Sequence, residues 1–177
     1  LGRLVGSEMC IRDSPDAALR SLSPLLPQNW QDDMNIIKDP IDFIGINYYT
    51  TVMLEAGGQD FPFVKTIDRN LPKTDMGWEI EPSGLTDAIN LVSRYAPDLP
   101  LYITENGMAS ANIITDKDRI EYYKDHLREV AKAARNLPIK GYFAWSLLDN
   151  FEWAWGYKKR FGIVHVDYKT QQRAKKD

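Results

Sequence analysis

The 177-residue chain has one cysteine, Cys10, and two histidines, His126 and His165. A lone thiol excludes an internal disulfide framework and suits a reducing compartment such as the cytoplasm. Two histidines this far apart make no metal site, and neither is given a catalytic role. No apolar run approaches the ~20 residues that span a bilayer, and there is no signal-peptide hydrophobic stretch. No glycine-rich phosphate cradle occurs, so no nucleotide or other cofactor is expected. A net charge of −3 offers no basic excess for nucleic acid or an anionic membrane. With 44% hydrophobic and 27% charged residues, what remains is an ordinary globular chain.

Aromatics are plentiful. There are five tryptophans and nine tyrosines, and Trp145, Trp153 and Trp155 fall within eleven residues. Such a cluster reads equally as a packed core or as a carbohydrate site, where rings stack on sugar C–H faces.

Residues 1–14 match neither the character nor the periodicity of the rest of the chain and read as a translated adaptor, to be set aside. The domain proper is then 15–177. Residues 15–40 carry Pro15, Pro24, Pro27 and Pro40 and read as a surface loop, with a short helical turn near 15–22. A strand is expected over 42–49, ending abruptly in polar and aromatic residues. Residues 51–82 hold several breakers and read as mostly irregular. A helix comes next, with Leu85, Ile89 and Val92 on one face, Ser83 as N-cap, and Pro97 and Pro100 at its end. A second strand covers 101–104. The clearest helix spans about 116–135, with Thr115 and Asp118 as a variant capping box and Ile120, Tyr123, Leu127, Val130 and Ala134 as its apolar face. Pro138 stops it, and a third strand covers 141–148. Lys158, Lys159 and Arg160 read as a solvated turn, and 161–168 as a hairpin or extended tail.

Strand, loop, helix, strand, helix, strand argues for βαβ units and a parallel sheet. In such folds ligand-binding residues gather past the carboxyl ends of the strands. All three strands here end in residues a site would use.

At those strand ends the sequence becomes recognisable. DFIGINYYT at 42–50, MGWEI at 76–80, YITENG at 102–107, GYFAWSLLDNFEWAWGY at 141–157 and RFGIVHVD at 160–167 resemble family 1 glycoside hydrolases. These are β-glucosidases and β-galactosidases built on a (β/α)8 TIM barrel, and the resemblance covers roughly 24–177. The loop QDDMNIIKDP at 31–40 is more similar to bacterial members. The resemblance makes the three strands the sixth to eighth of the barrel. The family's Asn-Glu-Pro motif, which carries the acid/base glutamate, does not occur here, so the chain is expected to be a C-terminal fragment.

The resemblance also implies roles. Glu105 would be the nucleophile of a retaining mechanism, forming a covalent glycosyl-enzyme. Tyr49 would orient it, and Asn47 would lie close to the sugar. Glu152 would accept hydroxyls O4 and O6, Trp153 would donate its indole N–H, and Trp145 would stack beneath the ring. Phe161 would neighbour the hydroxymethyl group, and Trp78 would be the aglycone platform. A carboxylate at 152 would repel a 6-phosphate, which implies unphosphorylated β-glycosides or oligosaccharides as partners. A non-catalytic sugar-binding protein on the same barrel is the alternative. Three barrel strands alone leave two open edges, so the fragment by itself is expected to be inactive.

Overall fold

The computed structural model describes residues 20, 22–37, 39–59, 63–111 and 115–176. The segment 1–14 and most of the turn expected near 15–22 lie outside the described residues.

A three-stranded parallel sheet is the frame, in the order β1 (Ile44–Tyr48), β4 (Leu101–Asn106), β5 (Ile139–Ala144). Before β1 comes α1 (Trp30–Ile37). Between β1 and β4 lie a hairpin, β2 (Met53–Ala56) with β3 (Val64–Ile67), and then α2 (Pro82–Tyr95). The helix α3 (Lys117–Ala133) joins β4 to β5. The tail adds an antiparallel pair, β6 (Val164–Val166) with β7 (Arg173–Lys175).

Alternation along the strands decides what packs where. Ile46, Tyr48, Leu101 and Ile103 point to one face and are buried with Leu85 and Ile89 of α2 and Val130 of α3. Helix α2 begins at Pro82, whose fixed φ suits a first helical position. Its cap is therefore Glu81, not the expected Ser83, which the proline places inside the first turn.

Helix α3 corrects the expected apolar face. Its buried residues are Arg119, Tyr122, His126 and Val130, whereas Ile120 and Leu127 are exposed. The reason is satisfaction of polar groups. Arg119 pairs with Asp116 and donates to the carbonyls of Met108 (3.2 Å), Gly162 (2.6 Å) and Arg160 (2.9 Å). A buried charge held this completely is tolerated. The helix is capped by Asp116 with no side-chain capping bond, so the expected box does not form.

Two more boundaries differ. Strand β5 stops at Ala144 because the backbone changes partners there. Ser146 and Leu147 bond to the tail through Ser146 N–H to Phe161 O (3.2 Å), Ile163 N–H to Ser146 O (2.9 Å) and Val164 N–H to Leu147 O (2.9 Å). The β2–β3 hairpin occupies a stretch expected to be irregular. All four residues of β2 are exposed, so no alternation marks it.

Candidate active site

The carboxyl ends of β1, β4 and β5 open into one cleft of about 960 Å3. Glu105 is the penultimate residue of β4 and lies opposite Asn47 of β1. Tyr49 follows the last residue of β1, and its hydroxyl donates to Glu105 Oε2 at 2.7 Å. Burial pushes the phenol of Tyr49 well above its ordinary range, reinforced by the bond to Glu105 and by the charges of Glu105 and Glu152. The phenol therefore remains a donor at any working pH. Asn47 Oδ1 accepts from Thr104 Oγ1 at 2.6 Å, which ties the side chains of β1 and β4 together just below Glu105.

Aromatic rings build the walls. Tyr49 packs against Trp78 (centroids 5.6 Å apart) and edge-on to Phe161 (5.9 Å), and Trp78 and Phe161 are 6.3 Å apart. Trp145 follows β5 directly, its N–H donating to Asn106 O at 2.8 Å, and its peptide to Ser146 is cis. The loop after it carries Glu152 and Trp153. Glu152 N–H donates to Gly156 O at 2.7 Å and Trp155 N–H to Glu152 O at 2.8 Å. Gly156 takes φ +57°, a region glycine enters without steric cost. Trp153 takes φ 41° in the same turn and is 83% exposed.

That loop is anchored by Asp149. Its buried carboxylate accepts from Arg160 Nη1 (2.6 Å), Gly162 N–H (3.0 Å) and Val166 N–H (3.3 Å), with Lys176 Nζ at 3.5 Å. Burial alone would raise Asp149, but Arg160, Lys176 and Val166 N–H hold it below the usual carboxylate range. The expected solvated turn at 158–160 is thus corrected. Lys158 is exposed, yet Arg160 is committed to Asp149. Lys159 joins Asp75 (3.3 Å) to the face of Trp155 (5.3 Å to the centroid), where a cation is attracted by the ring. Arg69 grips Glu79 and Glu81, which flank Ile80 just after Trp78.

All eight residues singled out from the sequence, namely Asn47, Tyr49, Trp78, Glu105, Trp145, Glu152, Trp153 and Phe161, line this one cleft. Met76, Asn150, Phe151, Ala154 and Trp155 line it too and are not among those eight. Trp155 is signalled by the tryptophan cluster, and the others have only their place beside the eight. Burial, and then the charge of Glu105, raise the Glu152 carboxyl above its ordinary value. The cleft thus offers two interacting carboxylates, a phenol donor and several ring faces, a set matched to a polyhydroxylated ligand with apolar C–H patches. Among the described residues no helix is long and apolar enough to cross a membrane, and no cluster suited to a metal ion occurs.

A parallel sheet with its helices on one face and a cleft past the strand carboxyl ends defines an α/β fold of the kind that binds ligands at that edge. Comparison with known proteins narrows this. The model of glycosyl hydrolase family 1 matches residues 10–177. A 1,4-beta-D-glucan glucohydrolase of Thermotoga neapolitana is 46% identical over 170 residues, which are 92% of this chain and 38% of that protein. A bifunctional beta-D-glucosidase/beta-D-fucosidase of Bifidobacterium breve is 38% identical over 82% of this chain and 37% of its own length. The solved beta-glucosidase of Thermotoga maritima in complex with deoxynojirimycin superposes with a TM-score of 0.91 at 44% identity, covering 97% of this chain and 40% of that one.

The chain belongs to glycosyl hydrolase family 1. It spans about two fifths of the length of these relatives, and its sheet is a portion of a (β/α)8 barrel.

Proposed function

We propose that this chain supplies the nucleophile and much of the sugar-binding wall of a retaining β-glucosidase acting on unphosphorylated β-D-glucosides. In this reading β1, β4 and β5 are the sixth, seventh and eighth barrel strands. Glu105 attacks the anomeric carbon, displaces the aglycone and forms a covalent glycosyl-enzyme that water then hydrolyses. Tyr49 holds the attacking carboxylate in place through its hydroxyl. Asn47 lies close to the reacting sugar. Trp145 stacks beneath the ring, Glu152 accepts O4 and O6 hydroxyls, and Trp153 donates its indole N–H to a further one. Phe161 neighbours the hydroxymethyl group, and Trp78 platforms the leaving group.

The acid that protonates the leaving oxygen comes from elsewhere in the complete protein, since no Asn-Glu-Pro occurs in this sequence. The Bifidobacterium relative's second named activity makes β-fucosides a natural competing substrate.

One observation carries this reading: the Glu105 carboxylate receives the Tyr49 hydroxyl at 2.7 Å inside a cleft it shares with Trp145 and Glu152. The test uses the complete protein. Glu105→Gly should lower hydrolysis of an aryl β-glucoside by about 10⁴-fold or more. Azide should restore turnover by forming the anomeric C–N bond from the vacated face as the aglycone leaves, giving the inverted glycosyl azide. A modest loss, or no rescue, would overturn the assignment.

The 177-residue chain alone we expect to be inactive and poorly folded. Phe43, Phe143 and Leu147 are 53%, 57% and 65% exposed, which is much apolar surface left to water. Robust hydrolysis by the purified chain would contradict this.

A further inference from the structure

We propose that Asn106 is a positioning residue for the nucleophile, its buried carboxamide locking the ends of β1 and β4 so that Tyr49 and Glu105 meet. The proposal rests on Glu105 being the nucleophile.

Asn106 has no exposed surface, and all its side-chain hydrogen-bonding groups are used. Nδ2 donates to Tyr48 O (2.7 Å) and to Tyr122 Oη (3.0 Å), while Oδ1 accepts from Tyr142 Oη (2.6 Å). Tyr122 Oη in turn donates to Tyr49 O at 3.4 Å. The peptide carbonyl of Asn106 accepts from Trp145 N–H. A single residue beside Glu105 thus holds the backbone on both sides of the cleft floor. Tyr122 is itself gripped, stacked on His126 at 3.9 Å, with the His126 Nδ1 2.7 Å from Tyr122 O.

Regular pairing fails at this point. The β1–β4 register slips between Ile46 and Asn47, and the β4–β5 register slips between Ile103 and Asn106. Glu105 therefore lies where the ladder is least able to aim it, and the side-chain amide takes over that task. The task needs two donors and one acceptor, which asparagine has and aspartate lacks. Aspartate would set an acceptor against the Tyr48 carbonyl. Asn106 is not among the residues lining the cleft, so its influence on chemistry passes through geometry, to which attack on an anomeric carbon is sensitive.

The experiment compares N106D, Y122F and Y142F in the complete protein, with I89V as a core variant that makes no hydrogen bond to the network. An activated 2-deoxy-2-fluoro-β-glucoside titrates active sites, reports the rate of glycosyl-enzyme formation per folded molecule, and marks the nucleophile for peptide mapping. The label should fall on Glu105. N106D should slow its formation about 100-fold and each tyrosine variant about fivefold, with kcat falling and KM little changed, while I89V keeps the wild-type rate. If N106D does not fold, the two tyrosine variants decide. Label on another residue overturns the nucleophile assignment and this proposal together. Label on Glu105 with all network variants as fast as I89V overturns the role of Asn106 alone.

Discussion

Asp149 and Glu152 are three residues apart on one loop, and the protein treats them in opposite ways. Asp149 is sunk beneath the loop and receives Arg160, Gly162 N–H and Val166 N–H, with His165 and Lys176 close by. Those partners hold its carboxyl below the ordinary range despite burial. Glu152 faces the cleft, where burial and the nearby charge of Glu105 push its carboxyl up. One carboxylate has its partners built in and fixes the loop. The other is held in an environment that disfavours its charge, which fits the proposal that its donors arrive with a ligand. Acid–base energetics thus separate a carboxylate with its partners built in from one left facing the cleft, where composition cannot.

Removing the anchor should have the largest effect. Asp149→Ala leaves the partly buried Arg160 and the buried Lys176 without the carboxylate they share, and breaking such a pair costs about 3–5 kcal/mol. Because β6 and the Glu152 turn both hang from Asp149, loss of glucoside binding should accompany the loss of stability. Chemical denaturation with inhibitor titration in the complete protein would check both. A variant that loses stability but binds normally would show that the anchor and the arm are independent.

The anchor is also the part least legible in the sequence. The three strands can be read because apolar runs ending in polar and aromatic residues mark buried parallel strands. Six of the eight cleft residues can be read because they lie in motifs at or just past those strand ends, and Trp78 and Phe161 because they lie in the motifs at 76–80 and 160–167. Asp149 sits inside the same motif, yet its role depends on Arg160 and Lys176, which only the folded tail brings near. The stripe of α3 misleads for a related reason. Hydropathy favours Ile120 and Leu127, whereas burial goes to Arg119, whose guanidinium meets carbonyls of other segments, and to His126, whose Nδ1 meets the carbonyl of the preceding helical turn. The β2–β3 hairpin leaves no trace in the pattern because neither strand buries a face.

Lys159 falls between the two extremes. It is mostly covered, bridging Asp75 on the Trp78 side to the ring of Trp155 on the other. Lys159→Ala should loosen the rim without touching Glu105. We expect a rise in KM of about threefold for aryl and oligosaccharide substrates with kcat nearly constant, from loss of a partly exposed ion pair and a cation–π contact. An equal fall in kcat would mean that the rim is coupled to chemistry.

The smallest expected effect is the most direct check on the contrast, because the two carboxylates must titrate with opposite sign. The raised Glu152 carboxyl contributes stability that is fully present below the ordinary carboxylate range and is lost as pH rises through its raised value. At neutral pH its charge is therefore a burden, and Glu152→Gln should raise Tm by about one or two degrees at pH 7. The gain should shrink toward zero near pH 4, where wild-type Glu152 is itself protonated. The depressed Asp149 carboxyl runs the other way. Its contribution is present above the ordinary range and is lost on acidification, so the penalty of Asp149→Asn should be greatest at neutral pH and narrow as pH falls. Melting curves of both variants from pH 4 to 8 would settle it: a gap for Glu152→Gln that is flat in pH, or that widens toward acid, would mean its environment does not disfavour the charge.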